Sequence, residues 1–271
     1  MKEEHSSSLY ALTTFILKQS TSWVLSHPEY QLDPEEEDTL DTYLSRLVNR
    51  EPLAYITGNQ SFFGLEFHVT PYVLIPRPET ELLVEQAIQA ADLFQPPFAI
   101  ADVGTGSGCI SITLAKSFSS ARIIATDISF DALRVAKKNI QYHQVENHIH
   151  LIQANLLTSI QTKFHIICAN LPYIPTGKLS ELSILNYEPR LALDGRKDGL
   201  IFIRQLLQDI QGKLLAGGVI IIEIEQSQES RIINICKRLL PSASCTILND
   251  LAGLPRAAVI RVDGSGEWKQ A

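Results

Sequence analysis

The sequence predicts an α/β fold, with a mostly parallel sheet that is covered on both faces and closed by a terminal antiparallel hairpin. A small N-terminal helical domain and a β-hairpin linker precede it. Three observations lead there. From residue 79 onward, short continuous apolar runs alternate with amphipathic stretches, as strands buried on both faces alternate with the helices that cover them. Before residue 53, apolar residues recur instead at three- and four-residue steps, the spacing of helices. Between the two, aromatic and β-branched residues are punctuated by Gly58, Gly64 and Pro71, the pattern of a hairpin. The expected division is residues 1–52 for the helical domain, 53–78 for the linker and 79–271 for the α/β domain.

Each element has its own local cause. Ser6 to Ser8 offer cap hydroxyls to a first helical run through Leu9, Leu12, Phe15, Ile16 and Val24, which His27-Pro28 breaks. Asp33 then caps a second helix with Pro34 in its first turn, Glu35 to Asp38 suit its positive end, and Leu40, Tyr43, Leu44 and Leu47 form its apolar stripe. Tyr55, Ile56, Phe62, Phe63, Phe67 and Val69 belong to the hairpin, which Pro76 and Pro78 end. A helix over 79–93, a strand over 98–103, a glycine turn and a helix through Ile110 and Leu114 follow. Next come strand RIIAT, helix 129–142, strand IHLIQ and strand FHIICA at 164–169. A helix over 199–214 is expected to end at Lys213 and Gly217-Gly218. Strand VIIIEI, helix 228–240 and two last strands joined around Gly253 and Pro255 complete the domain. The closing GSGEWKQA reads as a frayed tail.

Composition narrows the function. The 23 basic against 30 acidic residues give a net charge of −7, which argues against a protein whose main work is gripping a phosphate backbone. No apolar run approaches the length of a membrane span, and the polar, acidic start is unlike a signal peptide. Cys109, Cys168, Cys236 and Cys245 are far apart in sequence and in apolar contexts, so buried free thiols of a reducing cytoplasm are expected. The seven histidines show no metal-ligand spacing.

The chemistry-bearing residues fall at strand ends. Asp102 closes the first strand of the α/β domain. Gly104, Thr105, Gly106, Ser107 and Gly108 then make a turn whose backbone can approach a ligand, in front of a helix N-terminus. An acid at that place would repel a pyrophosphate and favours a ligand with a positive group, and no P-loop lysine follows the glycines. Asp127 ends the next strand, where a carboxylate can accept both hydroxyls of a ribose. Asn155 and Leu156, after the third strand, can hydrogen-bond and pack against an adenine. Together these features suggest S-adenosyl-L-methionine, with S-adenosyl-L-homocysteine as product: Asp102 and the loop for the methionine part, Asp127 for the ribose, Asn155 and Leu156 for the base.

The fourth strand ends in Asn170, Leu171, Pro172 and Tyr173. With the stretches REPLAYITG (50–58) and LIPRPETE (74–81), this motif resembles the glutamine-N5 methyltransferases that modify peptide chain release factors, whose hallmark is Asn-Pro-Pro-Tyr after the fourth strand. The resemblance covers nearly the whole chain. It implies a Rossmann-like class I methyltransferase with a seven-stranded sheet. The implied activity is transfer of a methyl group to the side-chain amide nitrogen of the glutamine in the GGQ motif of bacterial class I release factors, in support of translation termination. A cytoplasmic monomer is expected, with the release factor as protein partner, gripped by the N-terminal helices, and with no nucleic acid, membrane or metal.

An amide nitrogen is a poor nucleophile, because its lone pair is delocalised into the carbonyl. It has to be held in line with the methyl group while acceptors draw on its two N–H bonds. The Asn170 side-chain oxygen and the Leu171 carbonyl are the expected acceptors, Asn170 also faces the cofactor, and Tyr173 is expected to stack on the flat amide. Leu171 departs from the hallmark proline but keeps the carbonyl, and Pro172 restrains it to extended conformations. Asn155 departs from the more usual acid. Phe62 and Phe63 are candidates to cover the substrate glutamine or simply to pack the hairpin, Arg77 and Glu79 either line the site or fix the linker, with a structural salt link the favoured reading of Arg77, and Glu223 either bonds in the pocket or ends its strand. Two other readings remain open: a nucleic-acid adenine-N6 methyltransferase, which would use the same motif on a flipped base, and a cofactor-binding scaffold without turnover.

Overall fold

The computed structural model describes residues 2–181 and 183–262, so the GSGEWKQA segment lies outside the described residues. The chain forms two compact units, Met1–Asn59 and Gln60–Ala271.

The first unit is helical: α1 (Lys2–Leu17), α2 (Thr21–Ser26), α3 (Pro34–Val48) and α4 (Leu53–Thr57). Helix α1 begins upstream of Ser6, so Ser6 to Ser8 lie within it rather than capping it. The first helical run is also two helices, because Lys18 turns to a positive φ of 54° and the Ser20 hydroxyl restarts the chain by accepting from the Trp23 amide at 3.1 Å. Asp33 caps α3 as expected. Its carboxylate accepts from the amides of Glu35 and Glu36, and Glu36 bonds back to the Asp33 amide, a capping box. The reading of 53–57 as hairpin is corrected: Pro52 leads into a helical turn that buries Tyr55 and Ile56, and Gly58 ends it at φ 74°. Arg46 ties α3 to α4. It pairs with Glu51 at 2.6 Å, which holds that carboxyl below its ordinary range, and donates to the Tyr55 carbonyl at 3.2 Å.

A hairpin of β1 (Asn59–Phe62) and β2 (Leu65–His68) opens the second unit. Phe63 and Gly64 turn it with φ of 51° and 72°, since a two-residue hairpin needs positive φ at its centre. A single 3₁₀ turn at Pro78–Thr80 leads into α5 (Glu81–Ala91). The alternating part then runs β3 (Ala99–Val103), α6 (Cys109–Ser117), β4 (Arg122–Asp127), α7 (Phe130–Tyr142), β5 (Ile149–Gln153) and β6 (Phe164–Ala169). Two short helices, α8 (Thr176–Leu179) and α9 (Arg190–Leu193), precede α10 (Ile201–Asp209). After it come β7 (Leu214–Glu223), α11 (Glu229–Leu239), β8 (Ala243–Asn249) and β9 (Pro255–Val262).

Seven strands form one sheet in the order β5-β4-β3-β6-β7-β9-β8, parallel except for β9, which runs against both β7 and β8. Alternation along each strand divides the core between the two faces. Ile100, Ile166, Cys168, Val219 and Ile221 pack under α5 and α6, while Ala101, Val103, Ile167, Ile220 and Ile222 pack under α10 and α11. The expected class I methyltransferase fold is the observed one.

One boundary differs. The helix expected over 199–214 stops at Asp209, and Gly217 and Gly218 lie inside β7 rather than ending a helix. The turn at Gly212 (φ 79°) returns the chain early enough for Leu214 to pair with Phe164, and the register shift between Phe164 and Ile166 absorbs the extra residues. The four cysteines are free, three of them buried, but Cys245 is only half-buried, and Cys236 of α11 and Cys245 of β8 are near enough to shift each other's titration, Cys236 upward and Cys245 downward. Among the described residues no helix is long and apolar enough to cross a membrane.

The hairpin is pinned to the α/β layer by the fully buried Asn139 of α7. Its oxygen accepts from the His68 amide at 2.8 Å, and its nitrogen donates to the carbonyls of His68 and Ser107 at 2.9 and 2.8 Å. Asn139→Ala would strand all three groups. It is expected to lower unfolding stability by about 1–3 kcal/mol, read as a lower urea midpoint at an unchanged denaturant slope.

Candidate active site

The chain enters the sheet at its middle. The strand β3 pairs with β4 on one side and β6 on the other, both in parallel, so three strand ends and the loops that follow them converge at one edge. Connections leave in opposite directions there and open a crevice. A cavity lies in it, walled by Gly104 to Ser107 after β3, Asp127 at the end of β4 with Ile128, Asn155 and Leu156 after β5, and Asn170 to Pro172 after β6.

The glycine loop is held from behind. Thr126 O accepts from the amides of Gly104 and Thr105 at 2.8 and 2.9 Å. Gly104, Gly106 and Gly108 take φ of 76°, 55° and 84°, open to glycine at little cost. A Cβ on Gly108 would also lie 3.1 Å from Ile112 and 3.4 Å from Ala136, so this glycine lets α6 approach α7. Around Gly106 the space is open, a cradle beside the cavity.

Asp102 is not on the cavity wall. It is fully buried beneath the loop, where Oδ2 accepts from the Thr105 hydroxyl at 2.6 Å and the Ser111 amide at 3.1 Å, while Oδ1 has no partner among the described residues. Burial pushes its carboxyl up to about 6, against the pull of those hydrogen bonds. Asp127 does reach the cavity. Its oxygens accept from the Gly106 and Ser129 amides, both at 2.9 Å, and each keeps a further lone pair. Burial raises its carboxyl as well. Leu156 takes a positive φ of 52° with its side chain buried against the second core, while Asn155 stays exposed.

After β6, Asn170 lines the cavity and donates from Nδ2 to the Thr80 hydroxyl at 3.0 Å. Thr80 donates in turn to Glu223 at the end of β7, at 2.6 Å. The Leu171 side chain is buried, and Pro172 forms wall. Tyr173 is half-buried and is not on the cavity wall, so the stacking role expected of it has no contact there; burial and the nearby Glu223 charge raise its hydroxyl further above its ordinary range. The backbone of 172–173 is clamped. Gln228 Nε2 donates to the Tyr173 and Gly199 carbonyls at 3.1 and 3.2 Å, and a Cβ on Gly195 would meet the Pro172 carbonyl at 2.7 Å.

Arg77 both lines the cavity and forms a salt link, pairing at 2.5 Å with the buried Glu188. The structure moves Phe63 out of the site. It is the turn residue of the hairpin, its amide donates to Glu81 at 2.7 Å, and its ring packs against the first core. Sequence reasoning missed Thr80, Glu188 and Gln228. Thr80 lies within the LIPRPETE stretch that carried the resemblance, while Glu188 stands beside a proline and Gln228 just past an apolar strand.

Among the described residues no group of three or more His, Cys, Asp or Glu side chains is placed to hold a metal. The residues do fit S-adenosyl-L-methionine. An unpartnered buried carboxylate oxygen beneath the glycine cradle supplies negative potential for a cationic ligand, and Asp127 retains acceptor capacity for a diol.

Family models match two segments: the PrmC N-terminal domain over residues 2–58 and the methyltransferase small domain over residues 79–186. The curated release factor glutamine methyltransferase of Koribacter versatilis is 34% identical over 254 residues, covering 92% of this chain and 89% of its own. The protein of the same description from Coxiella burnetii is 36% identical over 247 residues, covering 91% and 88%. A methyltransferase structure from Pyrococcus furiosus superposes with a TM-score of 0.54 at 18% identity, over 82% of this chain and 98% of that one, a likeness of fold alone.

The raised carboxyl of Asp102 has a signed consequence. The native state holds this proton more tightly than the unfolded chain does, so the stability from Asp102 is fully present below pH about 4 and falls as pH rises through about 6. Asp102→Asn cannot titrate. The difference in urea midpoint, variant minus wild type, should grow as pH is taken from 4 to 7, whereas a constant difference would show that Asp102 does not carry the linkage.

Proposed function

The chain belongs to the release factor glutamine methyltransferase family, a group of enzymes that use S-adenosyl-L-methionine, and from that premise we propose how its residues divide the work. The substrate in this reading is a bacterial class I peptide chain release factor. The acceptor is the side-chain amide nitrogen of the glutamine in its GGQ motif, and the modification supports translation termination. The observation that carries the reading is the position of Asn170, on the cavity wall with Nδ2 engaged by Thr80, which leaves Oδ1 as an acceptor for an incoming N–H.

Bound S-adenosyl-L-methionine supplies an electrophilic methyl group on a sulfonium. Gly104 to Ser107 cradle its methionine part, with the negative charge of Asp102 behind them acting through the loop rather than by contact. Asp127 accepts from the ribose hydroxyls, and Asn155 and Leu156 bond and pack against the base. Asn170 Oδ1 and the Leu171 carbonyl each accept one N–H of the glutamine amide. The two acceptors turn the nitrogen toward the methyl group, draw electron density onto it, and reject a glutamate carboxylate, which has no N–H to offer. Pro172 and Arg77 form the wall beside them. Arg77 is held by Glu188 and can donate its remaining N–H groups to carbonyls of the substrate backbone.

The family's N-terminal module is present over residues 2–58, and the proposed role of this helical unit is to hold the release factor. The remaining parts of the reading are a monomer, a cytoplasmic location and no direct nucleic-acid partner. The net charge of −7 supports the last of these.

Incubated with cofactor and a release factor, the protein is expected to add one methyl group to the glutamine-bearing peptide, read by mass spectrometry. An unmodified peptide with active cofactor overturns the assignment. Asn170→Ala should lower turnover by about 100-fold or more and leave cofactor affinity, measured by calorimetry, nearly unchanged. Equal loss of both would place Asn170 in cofactor binding instead.

A further inference from the structure

Asn170 is useful only in one of its two amide orientations. With the oxygen toward the substrate it accepts an N–H. Flipped by 180°, it presents its own NH₂ and repels the group it should hold. Nothing in the Asn170 side chain prefers one over the other, so the choice is made by its neighbours.

We propose that Thr80 and Glu223 are positioning residues that fix the orientation of the Asn170 amide, through a one-way chain of hydrogen bonds that starts at the buried Glu223 carboxylate. Since the inference concerns the acceptor role given to Asn170, it rests on the function proposed above.

The direction of the chain follows from counting protons. An ionised carboxylate has none to donate, so the 2.6 Å contact between Glu223 Oε2 and Thr80 Oγ1 uses the single hydroxyl proton of Thr80. That hydroxyl then has only lone pairs left, and it lies 3.0 Å from the Asn170 amide. Only Nδ2 can face it, and Oδ1 is turned the other way. Thr80 is 2% exposed and Glu223 is 1% exposed, so no solvent competes for the bond between them and the low dielectric strengthens it.

The surroundings of Glu223 make its ionisation consequential. Thr80 and Glu79 approach it from the 3₁₀ turn, Tyr173 from the segment after β6, Arg256 from β9 and Cys109 from α6. Burial outweighs the hydrogen bonds and the Arg256 charge, and pushes the carboxyl up to about 7. Below that pH the carboxyl carries a proton and can donate to Thr80. Thr80 is then free to donate to Asn170, and the reason for the productive orientation is gone. The ordered form is the ionised one, so turnover is gained as pH rises through about 7.

The decisive experiment compares Thr80→Ser with Thr80→Val, each measured for turnover at saturating cofactor and release factor, for cofactor Kd, for urea midpoint and for hydrogen exchange of the Asn170 side-chain NH₂. Valine has the shape of threonine and no hydroxyl, while serine keeps the hydroxyl and loses a methyl group. Positioning predicts that serine is the more active, with valine down by about 100-fold in kcat at an unchanged cofactor Kd, and that the Asn170 NH₂ exchanges fast only in the valine variant. A packing role predicts the reverse order, and valine as active as serine or more so overturns the proposal. The kcat of wild type should also rise with pH through about 7, and this limb should be missing in Glu223→Gln. Its absence in wild type, or its survival in the glutamine variant, removes Glu223 from the chain. If wild type does not methylate a release factor at all, the functional reading fails, while the exchange of the Asn170 NH₂ still decides the orientation by itself.

Discussion

The parallel pairing of β3 with both β4 and β6 is the constraint on which the rest of this structure depends. A strand with parallel neighbours on both sides has its carboxyl end flanked by theirs, and the chain has to leave that edge in two directions. The glycine loop and the segment from Asn170 onward are the first residues after β3 and β6, and Asp127 is the last residue of β4. They meet because of hydrogen-bond register, although they are tens of residues apart in sequence. The apolar faces of the same strands supply the cores that fix them, so the precision of the site is inherited from the packing of the sheet.

Within that frame the buried polar groups do the fine placement. Asp102 lies under the glycine loop and Glu223 under the amide motif, and each is a carboxylate carried into the interior by a strand that is otherwise apolar. Burying a charge is expensive, and the raised carboxyls of both residues express that cost. The return is directional. A carboxylate only accepts, so every group bonded to it must donate, and the donors at these two points are residues of the cavity wall or its immediate support: Thr105 and Ser111 to Asp102, Thr80 to Glu223.

Much of this was legible in the sequence because its causes are local. The strand-helix alternation, the Asp33 cap, the glycine loop and the motif at Asn170 can all be read from neighbours a few residues apart. What could not be read depends on distant partners. Thr80 is an ordinary residue until Glu223 lies next to it. The same holds for Gln228 and Gly199, which matter only because the backbone at Tyr173 passes between them. The helix misplaced over 199–214 failed for a related reason. Gly217 and Gly218 look like a terminator, yet the pairing of Leu214 with Phe164 draws the segment into β7 and makes the glycines part of an irregular strand. Phe63 failed locally: its aromatic character suggested a ligand contact, while its position before Gly64 made it a turn residue.

Leu171 shows how a departure from the hallmark motif is accommodated. A proline there would stiffen the backbone through its fixed φ. Leucine gives that up, but its side chain is buried in the second core, and a Cβ built on Gly104 would lie 3.3 Å from its Cδ2 and 3.5 Å from the Asn170 carbonyl oxygen. The leucine therefore packs on the loop proposed to cradle the cofactor, and it keeps the backbone carbonyl proposed to accept from the substrate. Stiffness lost along the chain is recovered across it, by contact between two strand ends that the sheet has already brought together. Gly104 is accordingly constrained twice, by its positive φ and by the leucine above it, so its role in binding a ligand cannot be separated from its role in seating the motif.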